Sequence, residues 1–187
     1  MYPVIRMYWQ LFKHRNDPKL GAGDIHESTH YCLPWDLDIF WELNNGRTLT
    51  LYDLGRIPMG MRSGLFSVLR RQGWGLTVAG SSVRYRQRIR AFEKITMKSR
   101  LAGWDDRFFY MEQSMWKKDG TCAGHVLIRS AMTSKSGIVP PDRLMEEFGA
   151  PYARPVLPEW VQAWSTADAL RPWPPMVSKD TTSPGPA

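Results

Sequence analysis

Apolar residues in the middle of the chain change their spacing from two residues to three or four, and then back to two. Residues 26–33 alternate as in a strand. From Leu49 to Leu69 the three- and four-residue spacing predicts a helix, in which Pro58 either produces a kink or begins a second segment. Gly73 is a plausible C-cap for this helix. Alternation then returns in four stretches, residues 74–86, 95–101, 108–116 and 122–132.

The connections between these four stretches are short, which predicts antiparallel pairing. Asp119-Gly120, between the last two, is a strong signal for a tight hairpin. One helix followed by strands that short turns connect is typical of an α+β domain with one antiparallel sheet. A further short helix is predicted from Pro140-Pro141-Asp142 to Phe148.

We divide the chain into three parts. Residues 1–24 form an arm, and residues 25–150 carry the periodic pattern of the main domain. Residues 151–187 contain a short helix that opens at Pro158-Glu159. From Pro172 onward, proline, serine and threonine favour a disordered tail.

The arm is predicted to form an amphipathic helix that stops at Asn16-Asp17-Pro18. We expect its apolar face to pack on the protein's own domain or on a partner subunit. The alternative, which we favour less, is a helix that lies on a membrane surface. The residues of this face are Ile5, Tyr8, Trp9 and Phe12.

Composition narrows the function classes. The 187 residues carry a net charge of +7, which favours an anionic partner such as nucleic acid, a membrane surface or a phosphorylated small molecule. No apolar run approaches the ~20 residues of a membrane span. The only cysteines, Cys32 and Cys122, are expected to be reduced thiols in a cytoplasmic protein. No cluster has metal-ligand spacing and no phosphate or dinucleotide motif is present, so we expect neither a metal nor a cofactor.

The candidate chemistry lies just before the long helix. Asp36 and Asp38 precede Asn44 and Asn45, and asparagine is a preferred N-cap. A helix start supplies unpaired N–H donors and a positive dipole end. A carboxylate near such a start can attack, or activate water against, a carbonyl that those donors hold. The simpler interpretation of Asp38 is a turn cap.

Three motifs in this order resemble the hotdog-fold acyl-CoA thioesterases, and most of all the branch that is similar to 4-hydroxybenzoyl-CoA thioesterase. They are Asp36-Leu37-Asp38, Asn44-Asn45-Gly46-Arg47 and Asp53-Leu54-Gly55-Arg56. The resemblance covers residues 25–135 and implies a five-stranded antiparallel sheet wrapped around one long central helix. Two later matches are Gly73-Trp74-Gly75-Leu76 and Val83-Arg84-Tyr85.

The resemblance implies hydrolysis of an acyl-CoA to a free acid and coenzyme A. Asp38 would be the nucleophile or general base, and the backbone N–H near Asn45 would polarise the thioester carbonyl. Asp36 and Asn44 would be structural. Glu42 stands where the family has a histidine, so the local hydrogen bonds and the pocket are expected to differ. The alternatives are a non-catalytic hotdog protein that holds an acyl chain or coenzyme A and, less favoured, a nucleic-acid-binding protein.

A basic stretch follows the third motif. Arg84, Arg86, Arg88 and Arg90 would share one face of a strand. Such a face can bind the phosphates of coenzyme A through forked hydrogen bonds. The alternative is a solvated face, or one that pairs with acidic residues of another subunit.

Two further features have ordinary structural interpretations. Asp53 and Arg56, three residues apart on a helix, are expected to form an ion pair. His125 lies on an alternating strand and is expected to be packed and hydrogen-bonded. The resemblance also implies a homodimer or homotetramer, with the active site where the sheets of two subunits meet.

Overall fold

The computed structural model describes residues 2–149 and 154–176. One compact unit extends to Val156, and a second begins at Leu157. The helices are α1 (Val4–Lys13), α2 (Asn45–Arg62), α3 (Leu65–Gln72), α4 (Pro141–Glu147) and α5 (Glu159–Ala169). The strands are β1 (His26–Tyr31), β2 (Gly75–Tyr85), β3 (Lys94–Trp104), β4 (Phe109–Lys117), β5 (Cys122–Ser134) and β6 (Gly137–Val139).

The sheet of the first unit is antiparallel throughout and has the order β1-β3-β4-β5-β2. The predicted sequence of one strand, a helix and four strands is therefore confirmed. The hairpin between β4 and β5 turns at Gly120, whose φ of 84° suits glycine. The sequence pattern did not predict β6, a three-residue strand that pairs with the end of β5.

The central helix α2 forms and packs for local reasons. The Asn44 side chain caps its start. Its core face carries Leu51 and Leu54, both fully buried, and it lies across β1 and β3. Gly55 permits this contact, because a Cβ there would lie 2.5 Å from the Met97 sulfur. Pro58 does not interrupt α2, contrary to one of the two interpretations of the pattern.

The predicted second helical segment begins at Leu65, seven residues after Pro58. Gly64 separates α2 from α3 with a φ of 78°, a left-handed conformation that glycine adopts without a Cβ penalty. Gly73 ends α3 in the same conformation, as expected. The break therefore lies at the residue that the backbone geometry requires to be glycine, and not at the proline.

The helix α1 packs on the free edge of β1. The Gln10 amide donates to the carbonyl of Thr29 at 3.2 Å, and the Arg6 guanidinium donates to the carbonyl of Tyr31 at 2.7 Å. These bonds satisfy edge carbonyls that would otherwise be open to another strand. The packed side of α1 also includes the buried residue Met7.

The prediction that the apolar face of α1 packs on the protein's own domain is wrong. The edge of β1 needs hydrogen-bond donors, so the side of α1 that carries Arg6 and Gln10 faces inward. The opposite side, which we expected to pack on the domain, is exposed. It carries Ile5, Tyr8, Trp9 and Phe12.

The second unit contains α5, where the sequence predicted a short helix. The carbonyl of Pro158, just before α5, accepts hydrogen bonds from the N–H groups of Val161 and Gln162. The predicted tail from Pro172 falls in part on residues 177–187, which lie outside the described residues.

Candidate active site at the start of the central helix

Asp36 is the most constrained side chain near the start of α2. Its side chain is fully buried. One oxygen accepts hydrogen bonds from Arg6 at 2.7 Å and from the N–H of Leu33 at 3.0 Å. The other accepts two from Arg47, at 3.0 and 2.8 Å, and the Asp36 carbonyl accepts one from the N–H of Asn44. Both carboxylate oxygens are thus committed to structure.

The charge state of Asp36 follows from these contacts. Burial alone would raise its pKa, but the Leu33 N–H and the guanidinium groups of Arg47 and Arg6 outweigh burial. The pKa therefore lies below its ordinary value. Asp36 is an ionised carboxylate that joins α1 to the first turn of α2.

Asp38 lies on a small two-stranded loop and is much less constrained. Its N–H donates to the carbonyl of Glu42 at 2.8 Å, and its carbonyl accepts from the N–H of Trp41. One carboxylate oxygen accepts from the N–H of Phe40 at 2.8 Å. The other has no hydrogen-bond partner within residues 2–149 and 154–176. Asp38 therefore caps a turn, as the simpler interpretation has it, and still keeps one oxygen available for chemistry.

The first turn of α2 leaves one backbone donor available. The Asn44 side chain accepts from the N–H groups of Gly46 and Arg47, at 2.9 and 3.2 Å. The N–H of Thr48 donates to the Asn44 carbonyl. The N–H of Asn45 has no acceptor in the described part of the chain. It lies at the positive end of the helix dipole, where a developing negative charge is stabilised.

A cavity of about 210 Å³ lies at this helix start. Asn45 and Thr48 line it from α2, and Tyr85 lines it from the end of β2. Glu42, opposite Asp38 on the loop, also contributes to the lining. Neither Tyr85 nor Thr48 was among the expected site residues. Tyr85 matched only as part of the strand motif Val83-Arg84-Tyr85, and Thr48 belongs to no motif.

Of the four arginines in the basic stretch, Arg86 and Arg88 line this cavity. Arg88 forms an ion pair with Glu42 at 2.9 Å. Glu42, which stands where the resemblance leads one to expect a histidine, therefore holds a cationic side chain at the cavity. Arg84 and Arg90 are exposed and do not line the cavity.

The prediction that the four arginines share one strand face is wrong. Only Arg84 lies on a strand, because β2 ends at Tyr85. The chain then bends so that the Ile89 side chain enters the core and its carbonyl accepts from the N–H of Leu43 at 2.8 Å. Because the Ile89 side chain is buried, the chain does not continue as a strand through the alternating arginines.

A larger, mostly apolar cavity of about 350 Å³ lies further along α2. The Asp53–Arg56 ion pair, expected from the sequence, lines one side of it. Burial raises the pKa of Asp53, against the lowering effect of Arg56 and of a hydrogen bond from Tyr2. The apolar lining includes Ile57, Phe66, Leu76, Val78 and Phe148.

Other chemistry finds little support. Among the described residues, no group of three or more His, Cys, Asp or Glu side chains is arranged to hold a metal ion. Both cysteines are free, and burial raises the pKa of the Cys32 thiol to about 11, which disfavours a thiolate nucleophile. His125 is hydrogen-bonded to Glu112 at 2.8 Å, away from the helix start. No helix in residues 2–149 or 154–176 has the length and apolar composition to cross a membrane.

Comparison with known proteins places this chain in a family. Residues 32–165 match the family described as the Thioesterase-like superfamily. Protein THEM6 of Xenopus laevis is 32% identical over 141 residues, a match that spans 74% of this chain and 66% of the frog protein.

Two solved structures share the fold. The probable thioesterase YbaW of Escherichia coli has a TM-score of 0.62 at 17% identity, over 65% of this chain and 94% of that one. The protein SAV2348 of Staphylococcus aureus, solved in complex with CoA, has a TM-score of 0.61 at 11% identity, over 76% and 95%. The hotdog fold expected from the sequence is thereby confirmed.

The contacts of Asp36 predict a large loss of stability in Asp36→Asn. Removing one partner of a buried ion pair typically costs about 3–5 kcal/mol, because the other charges stay buried. Since the folded-state pKa is lowered, the wild-type stabilisation is fully present above the ordinary aspartate value of 3.8 and is lost as the pH falls below it. Urea unfolding at several pH values measures both effects.

Asp38→Asn is the matched control, because it is the same substitution two residues further along the loop. The Asp38 carboxylate accepts only one hydrogen bond from the described residues, from the N–H of Phe40. This variant should unfold at nearly the wild-type urea concentration. Equal stability of the two variants at neutral pH would contradict the structural role of Asp36.

Proposed function

This chain belongs to the thioesterase-like superfamily, a family of thioester hydrolases, and we propose that it hydrolyses an acyl-CoA to a free acid and coenzyme A. The observation that carries the proposal is the available N–H of Asn45, at the start of α2 and beside the cavity of about 210 Å³. In this proposal Asp38 supplies the carboxylate; it lies opposite Glu42 on the adjacent loop, next to the cavity lining and not part of it.

In the proposed reaction, the N–H of Asn45 donates to the thioester carbonyl oxygen. Charge develops on that oxygen as the carbonyl carbon becomes tetrahedral, so the donor stabilises the transition state more than the substrate. Asp38 acts in one of two ways. As a general base it takes a proton from water, whose oxygen attacks the carbon. As a nucleophile it forms an anhydride that water then cleaves. In both, the C–S bond breaks and coenzyme A leaves as a thiolate. The thiolate takes its proton from Asp38 in the general-base route and from solvent water in the nucleophilic route.

The coenzyme A part of the substrate suits the cationic side of the smaller cavity. Arg86 and Arg88 can each form forked hydrogen bonds to phosphate. The bound CoA of the structurally similar SAV2348 supports a CoA ligand for this fold. The net charge of +7 favours the approach of an anionic substrate.

The acyl part suits the larger cavity. Asp53, at the edge of this cavity, lies eight residues beyond Asn45, a rise of about 12 Å along α2 at ~1.5 Å per residue. The apolar lining beyond that point favours a hydrocarbon chain over a polar acyl group.

We further propose that the enzyme acts as a symmetric homodimer, or as a homotetramer built from such dimers. The eleven residues of β2 pair with β5 on one side only, and most are exposed. A long open edge favours pairing with a second copy. Since β2 ends at Tyr85 beside the smaller cavity, such pairing would bring the partner close to the active site.

We predict that Asp38→Asn folds normally and loses turnover by about 10²-fold or more, because the amide can neither accept the proton nor attack. A free-thiol assay with a panel of acyl-CoA chain lengths measures this. Asp119→Asn is the matched control, since Asp119 caps the hairpin between β4 and β5 through one backbone N–H, as Asp38 caps its own turn. Near-wild-type turnover in Asp38→Asn would rule out the proposed chemistry.

We predict that the double variant Arg86→Gln and Arg88→Gln raises KM more than it lowers kcat, because these side chains hold the substrate equally in the ground and transition states. The wild-type KM should also rise with salt, and rise less steeply in the variant. Arg143→Gln removes an exposed arginine of α4 and should change neither value. Unchanged KM and kcat in the double variant would show that these arginines do not bind coenzyme A.

We predict a dimer or tetramer by light scattering coupled to size exclusion. Replacing Val78, exposed on β2, by proline should shift the protein towards monomer and reduce activity, because proline cannot donate a strand hydrogen bond. Thr50→Ala, a change at a half-buried position of α2, should leave the mass unchanged. A fully active wild-type monomer would overturn the dimer proposal.

A further inference from the structure

The outward face of α1 is the most apolar exposed helix face among the described residues of the first unit. Ile5 is 86% exposed, Tyr8 69%, Trp9 60% and Phe12 54%. Four large apolar side chains on ten residues of helix form a contiguous patch, because they are spaced three and four residues apart. Patches of this kind on a soluble domain mark a site of interaction.

This face cannot turn inward to bury itself. The other side of α1 is held by Gln10 on Thr29, by Arg6 on Tyr31 and by Arg6 on the buried carboxylate of Asp36. Rotating the helix would break all three contacts and leave the Asp36 charge without one of its partners. The aromatic face is therefore presented outward as a fixed part of the fold.

The exposed charged side chains of residues 2–16 are cationic. They are Lys13 and Arg15, whereas Arg6 faces inward onto Asp36. Lys13 is exposed, and the Arg15 guanidinium lies 3.7 Å from the centroid of the Phe12 ring. A second copy of the chain would bring the same cations to the same face across a twofold axis, so like charges would meet. An anionic surface is the complementary partner.

We propose that this face of α1 docks on the surface of an anionic lipid bilayer. A helix with Trp, Tyr and Phe on one face and cations at its border can lie in the interfacial plane, with the rings among the headgroups and the cations near lipid phosphates. The helix lies on the membrane and does not span it. This docking goes beyond the proposed hydrolysis and does not depend on it.

The position of α1 gives the docking a consequence for the substrate. The Tyr2 side chain, just before α1, lies beside Asp53, which lines the larger apolar cavity. The start of α1 therefore lies at that cavity. If the proposed function holds, docking brings the cavity close to the bilayer, where molecules with long hydrocarbon chains collect.

Co-sedimentation of the full chain with vesicles tests the docking. Vesicles of phosphatidylcholine with phosphatidylserine should bind the wild-type protein, and bind it less as salt increases. The double variant Ile5→Ser and Trp9→Ser should lose affinity by on the order of tenfold or more. The double variant Lys13→Gln and Arg15→Gln should lose affinity for the anionic vesicles only.

The matched control is Leu170→Ser with Trp173→Ser. It removes one aliphatic and one tryptophan side chain, 80% and 87% exposed, from the second unit. Control binding should equal wild-type binding. Two results would overturn the proposal: equal binding by wild type and by the Ile5/Trp9 variant, or a smaller assembly of that variant in light scattering with unchanged vesicle binding, which would make the face a subunit interface.

The test is separable from the proposed reaction. Asp38→Asn should bind vesicles as the wild type does, and the Ile5/Trp9 variant should hydrolyse a short, water-soluble acyl-CoA at the wild-type rate. A loss of that hydrolysis would show that the face belongs to the catalytic domain and would contradict the proposal.

Discussion

One buried carboxylate organises this molecule. The Asp36 carboxylate accepts from Arg6 of α1, from the N–H of Leu33, two residues after β1, and from Arg47 of α2. The Asp36 carbonyl accepts from the N–H of Asn44. A buried charge is stable only with such partners, so the three elements must meet in one arrangement. The same contacts fix where α2 begins. They therefore also fix the position of the available Asn45 N–H and of the loop that carries Asp38.

The two aspartates of the motif show how environment separates residues of the same type. Asp36 is fully committed to arginines and a backbone N–H, which makes it a structural charge. Asp38 makes one backbone bond and keeps an oxygen without a partner in the described residues. A carboxylate suited to catalysis needs that freedom, since a proton or an acyl carbon must reach it. The difference between the two carboxylates follows from contacts that a sequence motif does not show.

The sequence predicted those features that local physics determines. Alternating apolar residues predicted the strands, and the capping residue Asn44 predicted the start of α2. Gly73 and Gly120 predicted two turns, and both adopt a positive φ. Its errors arose where a distant contact decided the outcome. The edge of β1 needed donors, which turned the polar side of α1 inward. The Ile89 side chain is buried in the core, and the chain leaves the strand direction after Tyr85 to place it there. The spacing of residues in α1 and in the arginine stretch shows neither of these two long-range contacts.

The two edges of the sheet differ in a way that limits how copies can join. Side chains of α1 bind two outer carbonyls of β1, those of Thr29 and Tyr31, whereas no strand among the described residues pairs with the outer side of β2. Any added strand must therefore join at β2. Once two copies have joined there, each remaining edge is a β1 edge that α1 already covers. In the proposed dimer, growth by strand addition would stop at a closed pair, which would protect the fold from the endless sheet extension that produces fibres.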